Sequence, residues 1–253
     1  MRPSREFFRI FALFFAVVLV FFSFSPNIPA EDYSIIDNLF FKDFQMIGSA
    51  VSDDWVKSAT IAGSIAGITA IVMYNDESIR NEVRKRSGST GDVFFDVVNE
   101  FGNPVYVIAA DSLLLLGGKK EVKTGQKIIE AIAITGLINY AGKVVFGRER
   151  PGLGSGSYSY NWFDFSDNSM PSGHTGVAFA CAAVLGDNYD IGYITYPVAA
   201  LVGIARIYKN AHWPSDVIVA AAVGIIIGKA INFDNGIISI SASPNGFLAS
   251  YKF

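Results

Sequence analysis

Cysteine, histidine and charge are all scarce in this chain, and each shortage closes a class of function. The one cysteine, Cys181, has no internal partner for a disulfide, and no Cys-x-x-Cys pair or histidine cluster has the spacing of a zinc site. Charged residues make up 17% of the chain and the net charge is -3, so there is no basic footprint for nucleic acid. No internal repeat or low-complexity tract is evident in 253 residues, a length that suits one domain with a substantial core. What the chain has in excess is apolar surface: 51% of it is hydrophobic and its mean hydropathy is +0.36, which favours a membrane or membrane-surface protein.

The N-terminus carries Arg2, Arg5 and Arg9 ahead of an apolar run from Ile10 to Phe24, with Ala30-Glu31 beyond it. A positive flank before a run of this length is the pattern of an export signal, cleaved near Ala30 or kept as an anchor. Residues 31–56 form an amphipathic lead-in, with Phe40, Phe41 and Phe44 able to share a helix face. Six apolar helical segments follow at about 57–75, 104–118, 128–146, 174–187, 194–208 and 214–231, rich in the small residues that let helices pack closely. The expected fold is therefore all-α, a bundle of about six core helices over 57–232, membrane-embedded or membrane-associated. Residues 233–253 alternate partly around Asn245-Gly246, which predicts a short C-terminal β-hairpin.

Lys119, Lys120, Lys123 and Lys127 read as a cytoplasmic loop between the second and third segments, which sends the opposite helix ends toward the periplasm. Six spans counted from an exported N-terminus give the reverse orientation. Either the stretch before Lys57 returns through the interface, or the signal helix does not set orientation, or some helices do not cross.

The residues able to do chemistry fall in three clusters. Lys143 precedes Arg150-Pro151 by six intervening residues; Pro171-Ser172-Gly173-His174 comes next; Arg206 precedes His212 by five, and His212 precedes Asp216 by three. Pro171 and Pro214 stand where apolar helical runs begin, so the second and third clusters read as loop-to-helix junctions, whose unpaired N–H groups and positive dipole end favour an oxyanion. Gly173 allows close backbone approach and Ser172 offers a hydroxyl. Lys143, Arg150 and Arg206 supply three cations for a phosphate dianion. Asp216 can hold one ring nitrogen of a neutral His212 while the other attacks phosphorus, and His174 can serve as acid and then base. Arg148 and Glu149, beside Arg150, read as solvated loop charges.

This three-part pattern, over about 102–231, resembles the type-2 phosphatidic acid phosphatase superfamily, which includes bacterial class A acid phosphatases and vanadium haloperoxidases. One position departs from it: Ala205 stands before Arg206 where the family often has serine, which removes one hydroxyl contact to phosphate. The resemblance implies catalytic roles for His212, His174 and Asp216, phosphate binding by Lys143, Arg150, Ser172, Gly173 and Arg206, and no metal or other cofactor. It implies a hydrolase of the bacterial cell envelope that cleaves phosphate monoesters or pyrophosphates through a phosphohistidine, with a lipid phosphate favoured by the apolar helices and with membrane lipids around it. A periplasmic acid phosphatase for soluble monoesters, a vanadate-dependent haloperoxidase and a non-catalytic membrane protein with a phosphate pocket remain open as alternatives.

Overall fold

The computed structural model describes residues 55–85, 88–166, 168–233, 238–243 and 246–251. The export segment and most of the lead-in lie outside the described residues. Eight α-helices follow one another: α1 (Trp55–Tyr74), α2 (Asp76–Arg84), α3 (Ser89–Glu100), α4 (Pro104–Asp111), α5 (Lys119–Phe146), α6 (Gly173–Tyr189), α7 (Gly192–Tyr208) and α8 (Pro214–Phe233). The all-α expectation holds, and the six apolar segments correspond to α1 and α4 to α8. Two helices were not singled out. α2 is DESIRNEVR, too polar to register as an apolar run, and α3 concentrates its hydrophobic residues in Val93-Phe94-Phe95-Asp96-Val97-Val98, a run too short to stand out as an apolar helix. Two strands, β1 (Ile238–Ser243) and β2 (Gly246–Tyr251), pair antiparallel with Ser243 opposite Gly246. Pro244 and Asn245 lie outside the described residues.

The chain separates into two compact units, residues 1–74 and residues 75–253. α1 is the described helix of the first. It is long and apolar enough to cross a membrane, as are α5 and α8 in the second. α6 and α7, at 17 residues each, are shorter than those three.

In the second unit α6 is central, packing on α8, α7 and α5. Its sequence explains why. A Cβ on Gly224 of α8 would stand 2.4 Å from the carbonyl of Gly176, and one on Gly228 would stand 2.6 Å from that of Ala180. Small residues one turn apart on both helices thus let two backbones touch, the mode of association favoured where no water drives helices together. Ile128, Ala131 and Ile134 of α5, Ala180, Ala183 and Val184 of α6, and Val219 and Ala220 of α8 are buried. A second cluster joins Val98 of α3 to Ala178, Ala182, Ala199, Val202 and Ala205. Ala205 therefore faces the core, where a serine hydroxyl would need a partner.

The lysine-rich loop expected between the second and third segments is not a loop. Lys119, Lys120, Lys123 and Lys127 lie on the first turns of α5, and Lys127 is buried. Three lysines within five residues suggest solvent to the eye, yet lysine propagates a helix well and its methylenes cover apolar surface. α5 ends at Gly147, whose left-handed φ of 53° caps it. No side chain fits there, because a Cβ would fall 1.5 Å from the carbonyl oxygen of Asn161. The chain turns off the helix at this point and carries Arg148 and Arg150 back across the end of the bundle.

Candidate active site

Arg148 organises that end of the bundle. It was expected to be a solvated loop charge; instead its side chain is wholly buried. Nη1 donates to Asp216 Oδ1 at 2.6 Å and to Ser215 Oγ at 2.7 Å; Nη2 donates to Asp76 Oδ2 at 2.6 Å and to the Ser157 carbonyl at 2.6 Å. Nε reaches the same carbonyl at 3.1 Å. Asp76, at the start of α2, also accepts from Ser215 N at 2.8 Å and from Ser215 Oγ at 2.6 Å. A planar five-donor guanidinium is suited to tying two carboxylates and a carbonyl in one plane. Neither Arg148 nor Asp76 stands out in the sequence, because their partners are 68 to 72 residues away. Glu149 is only partly buried: its carboxylate accepts from Asn161 at 3.1 Å in an exposed contact, and its carbonyl accepts from Trp213 Nε1 at 3.0 Å.

His212 sits on this platform, 2% exposed. Its Nδ1 lies 3.6 Å from Asp216 Oδ2, too long for a hydrogen bond, while that oxygen accepts from Trp213 N at 2.8 Å. On the other side, Arg150 Nη1 stands 3.5 Å from His212 Nε2 and donates to the Ala211 carbonyl at 2.9 Å. A guanidinium only donates, so the ring nitrogen facing Arg150 presents its lone pair, and the ring proton belongs on Nδ1, toward Asp216. Burial pushes the imidazole pKa down to about 3, with Lys143 and Arg206 adding to the effect and Asp216 opposing it. The ring is neutral with Nε2 unprotonated.

The other expected residues converge on the same end of the bundle. Lys143, one turn before the end of α5, donates from Nζ to the Asn168 carbonyl. Arg206, near the end of α7, donates to Asn99 Oδ1 at 2.6 Å, and its carbonyl accepts from His212 N at 3.3 Å. Ser172 N donates to the Asp216 carbonyl at 3.2 Å, joining the second cluster to the third. Ser172 Oγ is buried and accepts from Thr175 at 2.9 Å, which leaves its own proton to donate. Pro214 opens α8 as expected, whereas Pro171 precedes α6, which begins at Gly173. His174 lies in the first turn of α6, its pKa lowered to about 4 by burial and by Arg206, with Glu100 opposing. Gly102 allows this approach, since a Cβ there would stand 2.6 Å from the His174 carbonyl. Among the described residues no three His, Cys, Asp or Glu side chains group to hold a metal ion.

Asn99 and Asn168 are the remaining polar contacts that sequence reasoning missed. Each holds one of the three cations, and neither belongs to a recognisable motif.

The PAP2 superfamily model matches residues 125–233, the stretch that holds Lys143, Arg150, Ser172, His174, Arg206, His212 and Asp216. Residues 125–233 carry the PAP2 superfamily pattern. It is 32% identical to a lipid A 1-phosphatase of Porphyromonas gingivalis over 242 residues, an alignment that covers 89% of this chain and 50% of that protein. It thus spans about half the length of that relative. It is 33% identical to the undecaprenyl-diphosphatase BcrC of Bacillus subtilis over 129 residues, covering 49% of this chain and 66% of that one. The crystal structure of Aquifex aeolicus LpxE superposes with a TM-score of 0.50 at 28% identity, over 60% of this chain and 92% of that one. A transmembrane PAP2-type phosphatidylglycerolphosphate phosphatase from Bacillus subtilis shares the fold, with a TM-score of 0.51 over 78% of this chain and 93% of that one.

Removing Arg148 strands two buried carboxylates, so Arg148→Met should lower stability by about 3–5 kcal/mol in detergent. Arg148→Lys should recover little, because one ammonium cannot span Asp76, Asp216 and the Ser157 carbonyl. Adding Asp76→Asn to Arg148→Met should restore part of the loss. Denaturation curves that superpose for wild type and Arg148→Met would refute the role.

His212 also predicts an acid sensitivity. Its folded pKa lies below the ordinary 6.5, so the unfolded chain binds more protons between about pH 3 and 6.5, and stability rises with pH across that window and levels above it. His212→Asn removes that contribution, and its melting temperature should fall less than that of wild type between pH 7 and pH 4.5. An equal fall in both would refute the buried neutral ring.

Proposed function

We propose that this protein is a lipid phosphate phosphatase that works through a covalent phosphohistidine on His212, without metal. The observation that carries the reading is His212 Nε2 standing 3.5 Å from Arg150 Nη1, at the end of the bundle where Lys143 and Arg206 also lie. A phosphate dianion drawn to Lys143, Arg150 and Arg206 puts phosphorus in front of that nitrogen. Attack forms the N–P bond as the bond to the leaving oxygen breaks, and the charge that develops on His212 draws Nδ1–H toward Asp216, closing the 3.6 Å gap. His174 protonates the leaving oxygen. Its pKa is lowered by burial and by Arg206 and Arg150, and a bound dianion opposes those charges and favours its proton. The deprotonated His174 then takes a proton from water, which attacks phosphorus and frees His212.

A lipid substrate is supported by the activities for which the relatives are named, one on lipid A and one on undecaprenyl diphosphate, and by three helices able to cross a membrane. An acyl or prenyl chain contributes about 0.8 kcal/mol per buried methylene, equally in ground and transition states, so it acts mainly on KM. The envelope is the expected location, with the site facing the periplasm and the lysine-bearing start of α5 facing the cytoplasm.

Wild-type protein mixed with a lipid phosphate should form an acid-labile, base-stable phosphoenzyme, and His212→Asn should form none and turn over at background rate. His174→Asn should slow substrates with poor leaving groups most. A long-chain substrate in micelles should exceed a short-chain analogue in kcat/KM, chiefly through KM. Normal turnover by His212→Asn would overturn the mechanism, and equal efficiency for both chain lengths would favour soluble monoesters.

For orientation, an impermeant amine reagent applied to intact spheroplasts should spare Lys119, Lys120 and Lys123 and label them once the membrane is permeabilised. Labelling in intact spheroplasts would reverse the orientation.

A further inference from the structure

The segment between Leu153 and α6 shows an unusual combination: it is tightly anchored, yet it displays its largest apolar side chains outward. Leu153 is 69% exposed, Phe163 65% and Phe165 76%, and Tyr158 and Trp162 are each more than a third exposed. Scattered exposed hydrophobics are ordinary, but five within thirteen residues form a patch. This is not a slack loop. Asn161 N donates to the Gly147 carbonyl at 2.8 Å, Ser169 N to the Arg148 carbonyl at 2.7 Å, and Phe163 N to the Val145 carbonyl at 3.4 Å. Asn168 Nδ2 donates to the Lys143 carbonyl at 3.1 Å, and the Ser157 carbonyl is held by Arg148. Trp162 stacks on Tyr160 with ring centroids 5.7 Å apart and meets Phe146 edge-on at 6.1 Å. Phe163 has a φ of 60°, a left-handed conformation that costs a non-glycine residue on the order of 1 kcal/mol or more and is kept only where the surroundings enforce it.

The position of this patch identifies what covers it. Val145 and Phe146, to which it is stitched, are the last residues of α5, and the neighbouring Glu149 carbonyl holds Trp213, directly before α8. α5 and α8 are two of the helices long and apolar enough to cross a bilayer. The ring of aromatics therefore stands at the level where those helices leave the hydrocarbon, and Trp, Tyr and Phe are suited to that boundary, with Asp164 between Phe163 and Phe165 able to reach water. The same residues that anchor the segment, Lys143 and Arg148, also build the site.

We propose that Leu153, Tyr158, Trp162, Phe163 and Phe165 form a collar that inserts into the head-group boundary of the phospholipid leaflet on the side of the active site, and so sets the phosphate site at the depth of lipid head groups. Its consequence for turnover rests on the lipid-phosphate reading above; its insertion does not.

The test uses the full chain in phosphatidylcholine vesicles, with quenching of tryptophan fluorescence by phosphatidylcholine brominated near the head-group end of the acyl chain. Shallow bromines should quench wild type more than Trp162→Phe, and Phe163→Ser/Phe165→Ser should reduce the quenching of Trp162. The double variant should lose about tenfold in kcat/KM on a long-chain lipid phosphate in vesicles, through KM, and keep wild-type kinetics on a short-chain soluble phosphate. Equal quenching of wild type and Trp162→Phe would overturn the collar. So would equal losses on both substrates, which mark a structural role, or conversion of a dimer to a monomer in the double variant with quenching unchanged, which marks a protein interface. Absence of activity on every phosphate would sink the phosphatase reading and leave the quenching result to decide the collar alone.

Discussion

The buried guanidinium of Arg148 is the constraint on which the candidate-site end of this bundle depends. A charge removed from water is tolerated only when its partners surround it, and Arg148 meets Asp76 from α2, Ser215 and Asp216 from α8, and the Ser157 carbonyl from the connecting segment. Those contacts bind three stretches of chain that no local force would assemble. They also fix Asp216, and Asp216 in turn holds the turn that presents His212. Gly147 makes the arrangement possible by turning the chain off α5 where any side chain would collide with Asn161.

Around this platform the electrostatics are divided. Arg148 is fully compensated by carboxylates and serves the architecture. Lys143, Arg150 and Arg206 each donate to a carbonyl or amide oxygen, which steers them. Burial, with Lys143, Arg150 and Arg206 adding to it, holds the pKa values of His174 and His212 below the ordinary imidazole value. In the proposed reaction an incoming dianion favours the protonated form of His174 and so prepares the acid.

The helices serve this end in different ways. α6 and α8 approach closely through Gly176, Gly224 and Gly228, which aligns their N-terminal ends and brings the Ser172 amide against the Asp216 carbonyl. α5, at 28 residues, rises about 42 Å and carries its lysines at one end and Lys143 at the other. At about 1.5 Å per residue Lys119 and Lys143 stand about 36 Å apart along it, more than the hydrocarbon thickness of a bilayer, about 30 Å, whereas the buried Lys127 stands about 24 Å from Lys143.

The sequence by itself determined the all-α class, six of the eight described helices and the spacing that marks Lys143, Arg150, His174, Arg206, His212 and Asp216, because hydrophobic periodicity, proline at a helix start and short-range spacing are local properties. It marked Ala205 as a departure from the family pattern without showing that the residue faces the core. Only the tertiary structure decided which charges are buried. Arg148 and Arg150 differ by two positions in a polar loop, and nothing local distinguishes them; one is enclosed by Asp76 and Asp216 and the other faces His212. The lysines at the start of α5 were misread as a loop for a related reason, since their helical state depends on propagation from the long apolar run behind them. The burial of a charge is settled by partners distant in sequence, and it is these partners that local pattern cannot show.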